Sequence, residues 1–214
     1  MTTKNIPLPR RLAARAAIGL FALLVACNVV PPPQDDPTRY FVLSDPSVQA
    51  VQGPAAGAVR IGLKSVRLES YLKRREMVVR TGNNEVEFRD FRRWAEPLDA
   101  AIGKVVRLRL LGAPEVAQVY AEPFPPDQDR DYDVSIDVHR CEGSQDPSGK
   151  FSASLSATIE ISTAGASPHV VARKRFTAPA GAWDGRDFGQ LASLLSADAS
   201  ALGQEVVEDI PARN

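Results

Sequence analysis

Asp131-Tyr132-Asp133-Val134-Ser135-Ile136-Asp137-Val138-His139-Arg140-Cys141 alternates between apolar and polar side chains for most of its length. Tyr132, Val134, Ile136 and Val138 fall on one face, with Asp133, Ser135, Asp137 and His139 on the other. Successive side chains of a strand point to opposite sides, so this pattern predicts a half-buried β-strand. Downstream, residues 151–162 and 169–178 read as two further strands, with 142–150 and 163–168 as hairpin loops. After Gly181-Ala182-Trp183-Asp184-Gly185 the period changes. Leu191, Leu195, Leu202, Val206 and Ile210 share one face of a helix that Pro211 ends.

Upstream of the strand, 123–130 is a polar, proline-containing loop and 115–121 a short strand. Before them Trp94, Leu98, Ile102 and Val105 recur at helical spacing. Pro97 suits the first turn, Lys104, Arg107 and Arg109 suit the C-terminal end of the helix dipole, and Gly112 and Pro114 stop it. Residues 76–80 and 85–89 flank Thr81-Gly82-Asn83-Asn84, which has hairpin turn chemistry. Residues 58–66 and 38–44 read as strands, separated by a loop over 45–57. Strands, helix, strands, helix in that order predict an α+β fold. It is a single domain with a mixed or antiparallel sheet and two main helices packed on it. No internal repeat is visible.

The N-terminus is a different kind of sequence. Arg10, Arg11 and Arg15 precede the apolar run 16–26, the pattern of a secretory signal. The run is shorter than the roughly 20 residues a spanning helix needs, and Pro31-Pro32-Pro33 cut it off. Leu24-Val25-Ala26-Cys27 resembles the lipobox of bacterial lipoproteins. That resemblance implies a cut before Cys27, a thioether-linked diacylglycerol on its sulfur and an acylated amine. Residues 1–26 are then the signal peptide, 27–37 the lipidated cysteine with its proline-rich linker, and 38–214 the domain. The linker favours extended polyproline conformation, with a reach of roughly 30 Å at about 3.1 Å per residue, which would hold the domain off the bilayer. By the same resemblance, Asn28 in place of aspartate points to the periplasmic face of the outer membrane.

The chain has 214 residues, 26 basic and 26 acidic. The signal holds four of the basic residues and none of the acidic ones, so the chain from Cys27 onward carries a net charge of −4. A net acidic chain argues against nucleic acid as a partner, since phosphate binding needs a basic face. With Cys27 lipidated, Cys141 has no partner for an internal disulfide and reads as a small buried residue.

Catalytic patterns are missing. His139 and His169 are the two histidines, and neither has metal-ligand spacing to cysteine or acids. The run 143–150 departs from a phosphate loop: it has five residues between its glycines, Phe151 where Ser or Thr should stand, and a strand after it. Gly165-Ala166-Ser167-Pro168-His169 lacks the second glycine of a nucleophile elbow. No cofactor and no metal are expected, and an enzyme would need a site assembled from scattered residues.

Four further stretches resemble one family. They are Tyr40-Phe41-Val42-Leu43 downstream of the lipobox, the run 61–80 containing Tyr71-Leu72-Lys73-Arg74, the run Arg93-Trp94-Ala95-Glu96-Pro97-Leu98, and the C-terminal amphipathic helix. Together they are similar to the PqiC-like lipoproteins, auxiliary components of ABC-type transporters that work with mammalian-cell-entry (MCE) domain proteins. Glu69 stands where that family usually has proline, and Lys73 where it usually has aspartate. The resemblance implies a non-enzymatic docking or conduit subunit for intermembrane lipid transport, with an MCE-domain protein, a permease and an ATPase as partners. It makes Tyr71, Leu72, Arg74, Trp94, Glu96 and Pro97 the candidate partner-binding residues, and it leaves a homo-oligomer open. The basic cluster Lys73-Arg74-Arg75 is open to an acidic partner or to lipid phosphates. The acidic polar face of the last helix, with Asp198, Glu205, Glu208 and Asp209, suits packing on its own sheet. A structural or assembly lipoprotein of the cell envelope shares the anchor and is the alternative.

Overall fold

The computed structural model describes residues 35–45 and 53–211. Cys27, the signal segment, the linker up to Gln34 and most of the loop after Asp45 lie outside the described residues. In chain order the elements are β1 (Arg39–Phe41), β2 (Val59–Leu63), β3 (Arg67–Leu68), a 3-10 turn (Ser70–Lys73), β4 (Glu76–Thr81) and β5 (Glu85–Trp94). Helix α1 (Leu98–Leu111), β6 (Val116–Ala121), β7 (Tyr132–Gln145) and β8 (Phe151–Thr163) follow. β9 (Val170–Thr177), β10 (Gly181–Ala182) and helix α2 (Phe188–Asp209) are the last elements among the described residues. Among the described residues ten strands form one mixed sheet, and the fold is α+β.

β7 is the spine of that sheet. Its two edges are used differently. Along one edge it pairs in parallel with β2 at Tyr132–Val134, with β3 at Asp137–Val138 and with β4 at Gly143–Gln145. Along the other it pairs antiparallel with β8 over nearly its whole length. β5 extends the sheet beyond β4, and the short β1 closes that side in parallel with β5. β6 flanks β2, and β9 and β10 flank β8.

One extra residue sets which side chains of β7 enter the core. Val138 pairs with Ala157 and Arg140 with Ser156, so His139 is a bulge. A bulge shifts the side-chain parity of everything after it. The inward set therefore changes from Val134, Ile136 and Val138 to Cys141 and Gly143. Cys141 is buried and free, and burial pushes its thiol well above the ordinary range. The alternation read in the sequence is thus real but longer, and the loop expected over 142–150 shrinks to 146–150. There Gly149 sits at φ 84°, and the Asp146 carboxylate accepts from the amides of Ser148 and Lys150.

The helices cover one face. α1 buries Leu98, Ile102, Val105, Val106 and Leu110, while α2 buries Leu191, Leu195, Leu202 and Val206. Against them stand Leu155, Ile159 and Ile161 of β8, each at most 1% exposed. Full burial of a side chain of this size contributes about 1.5–3 kcal/mol. Asp187 caps α2, its carboxylate accepting from the amides of Gly189 and Gln190. The two helices touch at Gly203, where an added Cβ would lie 2.9 Å from the Cβ of Arg109 and 3.3 Å from the Cα of Val106.

Several boundaries differ from the sequence reading. Trp94 ends β5 and does not open the helix. Pro97 is the cap residue of α1, and its lack of an N–H fits that place. The spacing of Trp94 to Leu98 and Ile102 mimics a helical face because both the strand end and the helix bury their apolar side chains in the same core. β1 is three residues long instead of seven. β3, the 3-10 turn and β10 carry too few residues for any period to announce them.

Candidate functional site

The two segments that the family resemblance singled out lie side by side. Glu76 pairs in register with Arg93, and the amide of Trp94 donates to the carbonyl of Arg75 at 2.8 Å. The end of the 3-10 turn thus meets the corner between β5 and α1. Within this corner the side chains divide by accessibility. Leu72 and Trp94 are 2% and 3% exposed and belong to the core. Pro97 and Arg74 are exposed. Arg74 stacks over the Phe88 ring at 4.4 Å and donates to Glu76. Glu96 accepts from Lys104 at 3.0 Å. Arg74 and Pro97 are thus at the surface and Glu96 is half-buried, while Leu72 and Trp94 belong to the core beneath them.

Tyr71 has a different setting. Gly143 faces Trp183 and Leu191 on the helix side, so the adjacent Glu142 points to the opposite face of the sheet. There its carboxylate, fully buried, accepts from Arg80 Nε at 2.6 Å. Arg80 Nη2 donates to the Tyr71 hydroxyl at 3.1 Å, and that hydroxyl donates to the His139 carbonyl at 3.0 Å. Burial first, and the Glu142 charge second, push the Tyr71 phenol up to about 12. The trio is locked: a neutral phenol and a guanidinium held charged by its carboxylate. Sequence reading did not pick out Arg80 or Glu142. The bulge at His139 broke the alternation just before Glu142, which then read as loop.

Other polar groups are similarly committed. His139 lies between Glu69 and Thr158, at 3.3 and 2.8 Å. His169 Nδ1 is 3.0 Å from Thr163 Oγ1. Ser200 Oγ donates to Asp45 Oδ2 at 2.8 Å and accepts from Arg109, tying the chain after β1 to both helices. No cluster of His, Cys, Asp or Glu among the described residues could hold a metal ion. A groove of about 410 Å³ runs between α1 and the ends of β2 and β6, lined by Leu63, Lys64, Val66, Gly103, Arg107 and Glu122 among others.

What the surface offers is an accessible basic and aromatic margin at the β1–β5 side of the sheet. Tyr40, Val42 and Phe91 are 58%, 54% and 52% exposed there. The described residues form an α+β unit with one mixed sheet and its two helices on one face.

Comparison with known proteins agrees in class. The family described as "ABC-type transport auxiliary lipoprotein component" matches residues 41–207, and the chain belongs to that family. A Xanthomonas campestris protein of known crystal structure is 18% identical, with a TM-score of 0.63 over 79% of this chain and 93% of that one. A second crystal structure, of an uncharacterized protein, is 14% identical, with a TM-score of 0.62 over 81% and 99%. A PelC dodecamer from Paraburkholderia phytofirmans matches more loosely, 17% identical with a TM-score of 0.46 over 77% and 96%. No curated protein matches the sequence.

Proposed function

We propose that this chain is the lipid-anchored, outer-membrane subunit of an ABC-type intermembrane transport system, and that it docks an MCE-domain protein served by a permease and an ATPase. The observation that carries the reading is the family match over residues 41–207, which takes in almost the whole folded unit. Membership in a transport auxiliary family supports a role as a component and not as the engine, so ATP chemistry falls to a partner. Cys27 carries the acyl chains, palmitate among them, and the linker to Pro37 sets how far the domain stands from the bilayer. The cargo is lipid or another hydrophobic molecule, passed between the membranes by the assembly as a whole. The corner formed by Arg74, Glu96 and Pro97, held by Tyr71, Leu72 and Trp94, is the docking surface. The arrangement supports a non-enzymatic role because Tyr71, Arg80, Glu142 and Cys141 are each buried or locked in pairs.

The test is purification of the natively lipidated protein from crosslinked membranes, with partners identified by mass spectrometry. Recovery of an MCE-domain protein with its permease and ATPase is expected. Repeated recovery of an outer-membrane barrel or a cell-wall partner alone overturns the transport reading in favour of envelope assembly. Cys27→Ala should abolish palmitate labelling and release the protein from the outer-membrane fraction. A variant that still labels and floats with that membrane removes the anchor from the proposal.

A further inference from the structure

We infer that the free edge of β9 is a docking site for an extended, acidic segment of a partner protein, which adds to the sheet as a further strand. β7 and β8 stand between this edge and the strands β4 and β5 beside the Arg74–Pro97 corner, so the surface is a second one. β9 spans Val170–Thr177 and pairs only with β8 among the described residues. The amide of Ala178 donates to the Leu155 carbonyl at 2.9 Å. Backbone groups of an antiparallel strand point alternately to its two sides, so Phe176, Lys174 and Ala172 face β8 as Ala178 does. Thr177, Arg175 and Arg173 direct their N–H and C=O groups outward. Val171 is extra against Ile161 and Ser162, and the regular stretch begins after it. No proline interrupts the strand. A regular open edge of this kind is a template for another strand.

The side chains select the sign of that strand. Arg173, Lys174 and Arg175 are successive and exposed. Lys174 turns to the helix face, where Glu205 and Asp209 of α2 hold it. Arg173 and Arg175 stand on the other face. Arg173 pairs with Glu160 of β8. Arg175 lies opposite Thr158 and has no acidic partner among the described residues. Asp137, in the same row, is taken by Arg67. One row along, Arg140 lies in register with Ser156 and Thr177, exposed and also without an acidic partner among the described residues. Across β8 and β9 this face thus sets Arg173 and Arg175 against Glu160 alone, with Arg140 behind them. Cations along an edge deter pairing with a like edge. Two copies joined β9 to β9 would lay arginine and lysine against one another, and like charges directly opposite are destabilising. A strand with a carboxylate opposite Arg175 gains a cross-strand ion pair together with the outward hydrogen bonds.

The two faces ask for different residues. On the outer face the incoming strand meets Arg173 and Arg175, and acids belong there. On the helix face it meets Ala172, Phe176 and a Lys174 already neutralised by two carboxylates. An acid on that side would face Glu205 and Asp209. The recognised segment therefore alternates acidic residues with uncharged ones. Its backbone supplies the affinity and this alternation the specificity.

The test uses the full chain in neutral detergent micelles, with amide hydrogen exchange followed residue by residue by NMR. The probe is a short capped peptide alternating Glu and Thr. In the free protein the amides of Ala172, Lys174 and Phe176 should exchange slowly and those of Arg173, Arg175 and Thr177 fast. The acidic peptide should slow the second set, and added salt should weaken the effect. Arg175→Gln should weaken binding about two- to fivefold. Thr177→Pro removes an outward donor and no hydrogen bond of the β8–β9 ladder, and it should weaken binding as well. No slowing at Arg173, Arg175 and Thr177 with millimolar peptide overturns the inference. Equal slowing by a peptide alternating Lys and Thr, or by the acidic peptide with every amide N-methylated, also overturns it. So does slow exchange of the outward set without peptide: where it grows with protein concentration the edge belongs to a second copy, and where it is constant the chain itself covers the edge. None of these readouts involves Cys27, its acyl chains or the Arg74–Pro97 corner, so failure here leaves the proposed function standing.

Discussion

Arg80 Nε donates to Glu142 Oε1 at 2.6 Å across two parallel strands, beneath the Tyr71 ring, and no part of the Glu142 side chain reaches solvent. The pair is 62 residues apart in sequence, and its remaining carboxylate oxygen has no hydrogen-bond partner. A buried ion pair contributes little net stability when intact, but losing one partner strands a charge. Arg80→Met should therefore cost about 3–5 kcal/mol of unfolding free energy in urea titration. Pairing it with Glu142→Leu should recover most of that loss. A double variant as unstable as the single one would show that the pair itself, and not the orphaned charge, matters.

Gly143 marks a close approach of a different kind. A Cβ there would lie 2.6 Å from Cζ3 of Trp183. That indole donates to the Asp187 carbonyl at 2.7 Å and packs edge-on against Phe151 and Phe188. Gly143→Ala should cost about 1–3 kcal/mol by overpacking. It should also change the near-ultraviolet circular dichroism, because the indole must leave its place at the start of α2.

Two glycines within the helices should respond with opposite signs. Gly203 lies in the α1–α2 contact, 3.3 Å from helix backbone, so Gly203→Ala should force the helices apart and lower stability by about 1–3 kcal/mol. Gly103 has only Val66 Cγ2 within reach of an added Cβ, at 3.6 Å. Gly103→Ala should raise stability by up to about 1 kcal/mol through helix propensity alone. Thermal melts of the two variants beside wild type check both signs.

The residues that made the fold legible were those whose pattern is local. Alternation over 131–141 marked β7, Thr81-Gly82-Asn83-Asn84 marked the β4–β5 turn, and Gly112 with Pro114 marked the end of α1. Parallel pairings carry no such mark. Nothing in Arg39-Tyr40-Phe41 says that it lies beside Arg92-Arg93-Trp94, and β2, β3 and β4 share one edge of β7 only because the chain returns to it three times. The candidate site was half legible for the same reason. The segments around Tyr71 and Trp94 stood out one by one, but their adjacency rests on the Glu76–Arg93 register. Arg80 and Glu142 were hidden by the bulge at His139, which no composition rule announces. The acidic face expected on α2 also divided. Glu205 and Asp209 hold Lys174, whereas Asp198 turns inward.

That inward turn gives the protein a pH dependence. Burial pushes the Asp198 carboxyl up to about 6, and its Oδ2 is buried without a hydrogen-bond partner. An unfolded aspartate titrates near 3.9. Below that value both states are protonated and Asp198 costs nothing. As pH rises from about 4 to about 6, the unfolded chain releases its proton before the folded one does, so the contribution of this residue to stability falls. Above about 6 the folded state holds a poorly solvated charge, and the loss is complete. Asp198→Asn should accordingly raise stability at pH 7.5 and leave it nearly unchanged at pH 4. Urea titrations of both proteins at the two pH values measure this, and an equal shift at both would trace the effect to packing, not to the buried charge.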